Sequence, residues 1–181
     1  MRWIWHAVVP MGIIAVMAAA GSLRAQAQGP DELEALNRQV EQLYQAGKYT
    51  AATEISKKSL TLAERKFGPD HPQVATALNN LALLYVAQGR YADAEPLYKR
   101  SLAIYEKAHG PDHPHVAVAL NGLAELYRTQ GRFAEAEPLY RRALAIAEKA
   151  HGLDHPGVAA PLNNLALLYD TQGRYADADP L

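Results

Sequence analysis

The sequence predicts an all-α protein, a solenoid of about three and a half antiparallel helix pairs. The prediction rests on a 42-residue period, on helical apolar stripes within each period, and on a glycine stop after each stripe. Gly68, Gly110 and Gly152 stand 42 residues apart, as do His71, His113 and His155. Tyr85, Tyr127 and Tyr169 keep the register, and so do Gly89, Gly131, Gly173 and Pro96, Pro138, Pro180. Toward the N-terminus it weakens but persists at Asn37, Leu43, Gly47, Tyr49 and Ala52. A fixed period of this size marks stacked units, none of which can bury its apolar face alone.

The array spans 33–181, with units at about 33–68, 72–110, 114–152 and a shortened 156–181. In the second unit Val74, Ala75, Ala77, Leu78, Leu81, Ala82, Leu84 and Tyr85 recur at helical spacing. Gly89 ends that helix, as glycine does where the backbone needs positive φ. Ala94, Leu97, Tyr98, Ser101, Leu102, Ile104 and Tyr105 form the next stripe. Only "GRY" separates the two, and so short a connection makes the helices antiparallel neighbours.

Between units stands "HGPDHP", His109 to Pro114, with near-copies "FGPDHP" and "HGLDHP". Gly110 stops one helix and Pro111 cannot continue it. Asp112 is placed to accept from the free N–H groups of the next helix, and Pro114 suits its first turn. His113 is left as a surface or packing residue. A metal would need several ligands converging. Each copy offers one Asp–His pair, and stacked copies lie about 10 Å apart. The stretch is therefore punctuation, with no metal and no cofactor expected.

Apolar residues make up 49% of the chain, enough for a packed core rather than disorder. The formal charge is −1 with no basic block, so nucleic acid is not indicated. There is no cysteine, which excludes disulfides and thiolate chemistry. Residues 1–27 read as a signal peptide: Arg2, an apolar run, and Ala25-Gln26-Ala27 before the cut. The alternative is an uncleaved anchor, since Trp3 to Leu23 carries no permanent charge over a just sufficient length. Residues 28–32 would be a short linker. The mature protein is expected outside the cytoplasm, periplasmic or secreted, and off the membrane once cleaved.

"LNNLALLYVAQGRYADAEPLYKRSLAIYEKAHGPDHP" resembles the tetratricopeptide repeat, in the 42-residue form of kinesin light chains and many bacterial proteins. The matching positions are Leu81, Ala82, Tyr85, Gly89, Tyr91, Ala94, Tyr98, Ser101 and Leu102, repeated from Leu123 to Leu144. The first unit departs most, with Arg38 and Val40 where the second has Asn80 and Ala82, as suits a capping repeat. The resemblance implies a right-handed α–α superhelix. The first helix of each pair would line a concave groove that binds an extended peptide or a partner protein, without catalysis.

Aligned to the family, Asn37, Asn79, Asn121 and Asn163 take a groove-facing place. A carboxamide both donates and accepts, matching the peptide backbone. Asn80 and Asn164 read instead as serving backbone groups between helices. Leu83, Glu125 and Leu167 share a second groove place; Val86, Arg128 and Asp170 a third; Ala87, Thr129 and Thr171 a fourth. Glu125 and Arg128, three apart on one helix, can pair with each other. The tyrosines on the stripes read as core with hydroxyls at the edge. Lys99-Arg100 and Arg141-Arg142 read as a solvated outer face.

Pro161 stands where Ala77 and Ala119 stand in earlier units, so that helix should begin late or kink. The shortened last unit should expose Leu165, Leu168 or Tyr169. Self-association there, docking of another protein, or a longer parent array would each account for it. No nucleophile–base set or phosphate loop is present, so an enzyme is not expected. The leading function is a binding module. The alternative is an assembly scaffold using the open end or the convex face.

Overall fold

The computed structural model describes residues 32–152 and 156–178. The expected leader, most of the linker, and His155 and Pro180 lie outside the described residues.

Among those residues every regular element is a helix. They are α1 (Glu32–Gln45), α2 (Tyr49–Phe67), α3 (Pro72–Ala87), α4 (Tyr91–His109), α5 (Pro114–Thr129), α6 (Phe133–His151), α7 (Pro156–Thr171) and the short α8 (Tyr175–Ala178). Each helix packs on the next in sequence. In addition α3 meets α5 and α5 meets α7, whereas no two second helices of successive pairs approach as closely. The first helices therefore crowd together and the second helices splay apart. That difference curves the stack and puts α1, α3, α5 and α7 on its concave side.

The stops follow from the glycines. After α3, Gly89 takes φ 71°, a left-handed conformation without strain for glycine. Its N–H donates to Val86 and the Arg90 N–H to Tyr85, satisfying carbonyls that a helix end leaves open. Gly110 at φ 88° ends α4, its N–H donating to Glu106.

The starts correct the sequence reading. The cap of α5 is His113, not Asp112: the His113 imidazole accepts from the His115 N–H at 3.2 Å. His71 caps α3 in the same way through the Gln73 N–H. The aspartates are drawn elsewhere. Asp112 receives Lys149 and Asp70 receives Lys107, each lysine lying on the second helix of the following pair. An ammonium offers a carboxylate a charge-assisted bond, which holds it away from the helix end. Arg142 reinforces the tie, bonding the Pro111 carbonyl and Glu106. Arg100 does the same for Pro69 and Glu64.

The largest of three buried clusters runs between the pairs and includes Leu81, Tyr85, Tyr98, Leu123, Tyr127, Tyr140, Leu165, Leu168 and Tyr169. The five tyrosines are buried as expected, and three place their hydroxyls on carboxylates. Tyr127 donates to Glu95, Tyr169 to Glu137 and Tyr140 to Glu125. Another expectation fails, and so does one half of a second. Leu165, Leu168 and Tyr169 are buried, not exposed. Their stripe packs back on α6, and the Arg174 guanidinium roofs the Tyr169 ring at 4.4 Å. Nor does α7 begin late: it runs from Pro156 with Pro161 inside. Pro161 is the sixth residue of its helix, the same place as Pro96 in α4 and Pro138 in α6. Each lacks the N–H that would bond the carbonyl four residues back.

Candidate functional site

The concave face is built from one side of α1, α3, α5 and α7. Residues in register on neighbouring helices lie side by side, so each place forms a row across the stack. Three large apolar side chains stand out to solvent there: Leu83 (43% exposed), Val118 (52%) and Leu167 (42%). Leu83 and Leu167 sit on the row expected from the sequence. Val118 is one that sequence reasoning missed, because Thr76 and Ala160 hold its place in the neighbouring pairs and mark no apolar row.

Glu125 interrupts the leucine row. Its carboxylate takes two bonds from Arg128, 2.6 and 2.8 Å, and one of 2.7 Å from the Tyr140 hydroxyl. Burial pushes the Glu125 carboxyl up, but the bonds from Arg128 and Tyr140 outweigh it and the net shift is downward. The groove charge at this pair is thus neutralised internally, as the three-residue spacing suggests.

The asparagine row is placed less openly than the family pattern implies. The Asn37 carbonyl accepts from Ser59 of its own pair at 2.7 Å. The side-chain oxygens of Asn79 and Asn121 are buried without a partner. The reason lies on the second helices. Ser101, in register with Ser59, gives its hydroxyl to the Ala75 carbonyl instead, and Ala143 has no hydroxyl to give. Asn163 is exposed. Asn80, expected between helices, lines a small hollow between α1 and α3 with Asn37, Val40, Glu41, Tyr44 and Leu83. Glu41 and Tyr44 were legible in principle, since they share the places of Leu83 and Val86.

Gly122 lets the Tyr98 ring of the preceding pair approach the α5 backbone closely. It replaces Asn80 and Asn164 in the register, and a Cβ there would lie 2.5 Å from the Tyr98 ring. Tyr98 of α4 fills the space, and its burial pushes the phenol upward.

On the outer face the basic pairs are engaged. Lys99 meets Glu95, Arg100 meets Glu64, Arg141 meets Glu137 and Arg142 meets Glu106. Among the described residues no group of three His, Cys, Asp or Glu side chains is placed to hold a metal. None of the described helices is long and apolar enough to cross a membrane.

Stacked helix pairs with a concave row of first helices define a helical-repeat solenoid. Sequence comparison assigns the family: a model of the tetratricopeptide repeat matches residues 31–107, 75–149 and 116–181. The chain belongs to the tetratricopeptide-repeat family, whose repeats generally mediate protein–protein interaction. No curated protein sequence matches it. Among solved structures it is similar to a Podosopora anserina protein with nearly identical TPR-like repeats, named for kinesin light chain. The TM-score is 0.74 at 25% identity, over 83% of this chain and 72% of that one. It is also similar in fold to BtubC (BKLC) from P. vanneervenii, with TM-score 0.73 at 22% identity, over 92% of this chain and 68% of that one. The 42-residue, kinesin-light-chain-like form of the repeat is therefore the form present here.

Proposed function

We propose that the protein is a non-catalytic binding module that holds an extended segment of a partner protein in its concave groove. The observation that carries this reading is that three of the five exposed large apolar side chains among the described residues, Leu83, Val118 and Leu167, share the concave face, whereas Phe67 and Tyr175 stand apart at helix ends. An extended segment laid across α3, α5 and α7 would cover all three, gaining roughly 25 cal/mol for each Å² of apolar surface removed from water. Asn163, Asn80 and the amide groups of Asn79 and Asn121 are the polar groups proposed to meet its backbone. Glu125 and Arg128 present a closed pair, so the central pair of helices would offer shape more than net charge.

The test is partner capture by the mature protein and by Leu83→Ser/Val118→Ser/Leu167→Ser. These residues are exposed, so the variant should melt like wild type. Loss of capture with an unchanged melting temperature supports the groove. Undiminished capture moves binding to the ends or the convex face. The outer basic pairs are engaged with carboxylates, which leaves them less available to an anionic partner on the convex face.

We also propose that the chain is exported and cleaved after Ala27, on the pattern of its first 27 residues. N-terminal sequencing of protein from exported fractions checks this, and an intact Met1 overturns it. Self-association through the last pair would show in light scattering as mass rising with concentration. The burial of Leu165, Leu168 and Tyr169 leaves it less apolar surface than the sequence suggested.

A further inference from the structure

The joint between α4 and α5 carries a group of rings that the joint between α2 and α3 lacks. His113 caps α5 through Nδ1, which lies 3.2 Å from the His115 backbone nitrogen. Its ring stacks on His109, with centres 4.3 Å apart and planes 21° apart, and lies 5.0 Å from His115. His109 and His115 are 5.8 Å apart. The Tyr105 ring packs on both, at 6.3 Å from His109 and 5.2 Å from His115. At the earlier joint His71 makes the same cap, but Phe67 stacks on it at 4.7 Å and Gln73 replaces the third histidine. The cap recurs; the cluster of three imidazoles does not.

The cap depends on protonation. A neutral imidazole has one N–H and one acceptor nitrogen. Accepting at Nδ1 puts the proton of His113 on Nε2. A second proton must go to Nδ1, where it meets the His115 N–H head on. The bond is lost, and a cation is created at the positive end of a helix. The rings of His109 and His115 lie 4.3 and 5.0 Å from that of His113, so positive charge on either opposes charge on His113. The surrounding carboxylates are already committed: Asp112 to Lys149 of α6, Glu106 to Arg142 of α6. The Tyr105 hydroxyl is bonded to Thr76 of α3.

We propose that this cluster is an acid-sensitive joint: protonation in mild acid releases the first turn of α5 and loosens the third helix pair from the second. Burial, then the charges of His109 and His115, hold the His113 pKa below its ordinary 6.5. The folded protein therefore binds that proton less readily than the unfolded chain. The stabilisation is complete above the unfolded value and is lost as pH falls below it toward the folded value. The turn at stake carries Val116 and Ala117, both buried.

The experiment is denaturant unfolding of the full mature chain between pH 7.5 and 5. It compares wild type, His113→Asn, and His109→Phe/His115→Gln. Asparagine caps helices as well as any residue and does not titrate. The double variant installs the residues of the earlier joint. Across that range the wild-type folding constant should fall about five- to tenfold further than that of His113→Asn, the size of one lost cap. The double variant should fall by less than wild type. The remaining histidines are common to all three chains and cancel in the comparison. Parallel pH profiles for wild type and His113→Asn overturn the proposal. If His113→Asn folds poorly, NMR of wild type decides. The Nε2–H tautomer at pH 7.5, with the His115 amide shift following His113 titration, upholds the proposal; an Nδ1–H tautomer overturns it.

Discussion

The Arg132 guanidinium carbon lies over the Tyr127 ring, 4.0 Å from its centre. The same two side chains converge on one carboxylate of the preceding pair. Arg132 reaches Glu95 at 2.8 Å and the Tyr127 hydroxyl reaches it at 3.0 Å, with Lys99 as a third donor. Arg174, Tyr169 and Glu137 repeat the arrangement one period later. It is a clasp between successive pairs, and it is absent at the first interface, where Thr53 takes the place of Glu95 and accepts from Gln88 at 2.7 Å.

Glu95→Gln should destabilise the protein by about 1–2 kcal/mol, since it leaves a charged donor set with a weaker acceptor. The clasp also sets an acid limit. Bonds from Lys99 and then Arg132 hold the Glu95 carboxyl down from 4.5 to about 2. A depressed folded pKa means that its contribution is present above the unfolded value and is lost as pH falls from 4.5 toward 2. Unfolding midpoints through that window should drop more steeply for wild type than for Glu95→Gln.

Arg132→Lys removes the ring stacking and the forked geometry while keeping the charge. A loss of about 1 kcal/mol is expected. Arg90→Lys should cost less, because Arg90 stacks on Tyr85 at 4.3 Å but has only Asp93 as its carboxylate. Equal losses in thermal unfolding would show that the shared carboxylate adds nothing.

Gly122→Ala tests a sign. In an ordinary helix interior this change stabilises by up to about 1 kcal/mol. Here the new Cβ would stand 2.5 Å from Cε1 of Tyr98, a ring buried at 3% exposure. Overpacking should win, lowering stability by about 1–3 kcal/mol. A raised melting temperature would mean that Tyr98 swings aside at little cost.

Pro161→Ala restores the residue type of Ala77 and Ala119 and one backbone bond in α7. Interior proline costs roughly 3 kcal/mol in a regular helix. Pro161 is buried, so part of that gain is offset by lost packing. A rise of about 1–2 kcal/mol is expected from the difference between these terms. No rise in melting temperature would show that the carbonyl opposite is already satisfied.

The helix pairs, their order and their stops were legible because each depends on local chemistry. An apolar stripe at helical spacing, a glycine that accepts positive φ and a proline in a first turn act within a few residues. The Glu125–Arg128 pair was legible for the same reason. The identity of the cap was not. In "DHP" both Asp112 and His113 carry an acceptor within reach of the helix N–H groups. The choice between them falls to Lys149, 37 residues away, which claims the aspartate.

The groove was half legible. The register placed Leu83, Glu125 and Leu167 on one row, but it gave no sign of Val118, whose neighbours in the row are small. Nor did it show which way the asparagines turn. That depends on whether the facing second helix offers Ser59, Ser101 or Ala143, and on whether a serine finds a better acceptor.

By itself the sequence determined the repeat, the number of helix pairs, the family and the absence of thiol chemistry, because periodicity and composition need no knowledge of neighbours. Only the tertiary structure decided the cap, the burial of Leu165, Leu168 and Tyr169, the clasp on Glu95 and the meeting of three histidines. Each of these is a competition among groups brought together by the turns of the chain. Which partner wins depends on distances that spacing along the sequence does not contain.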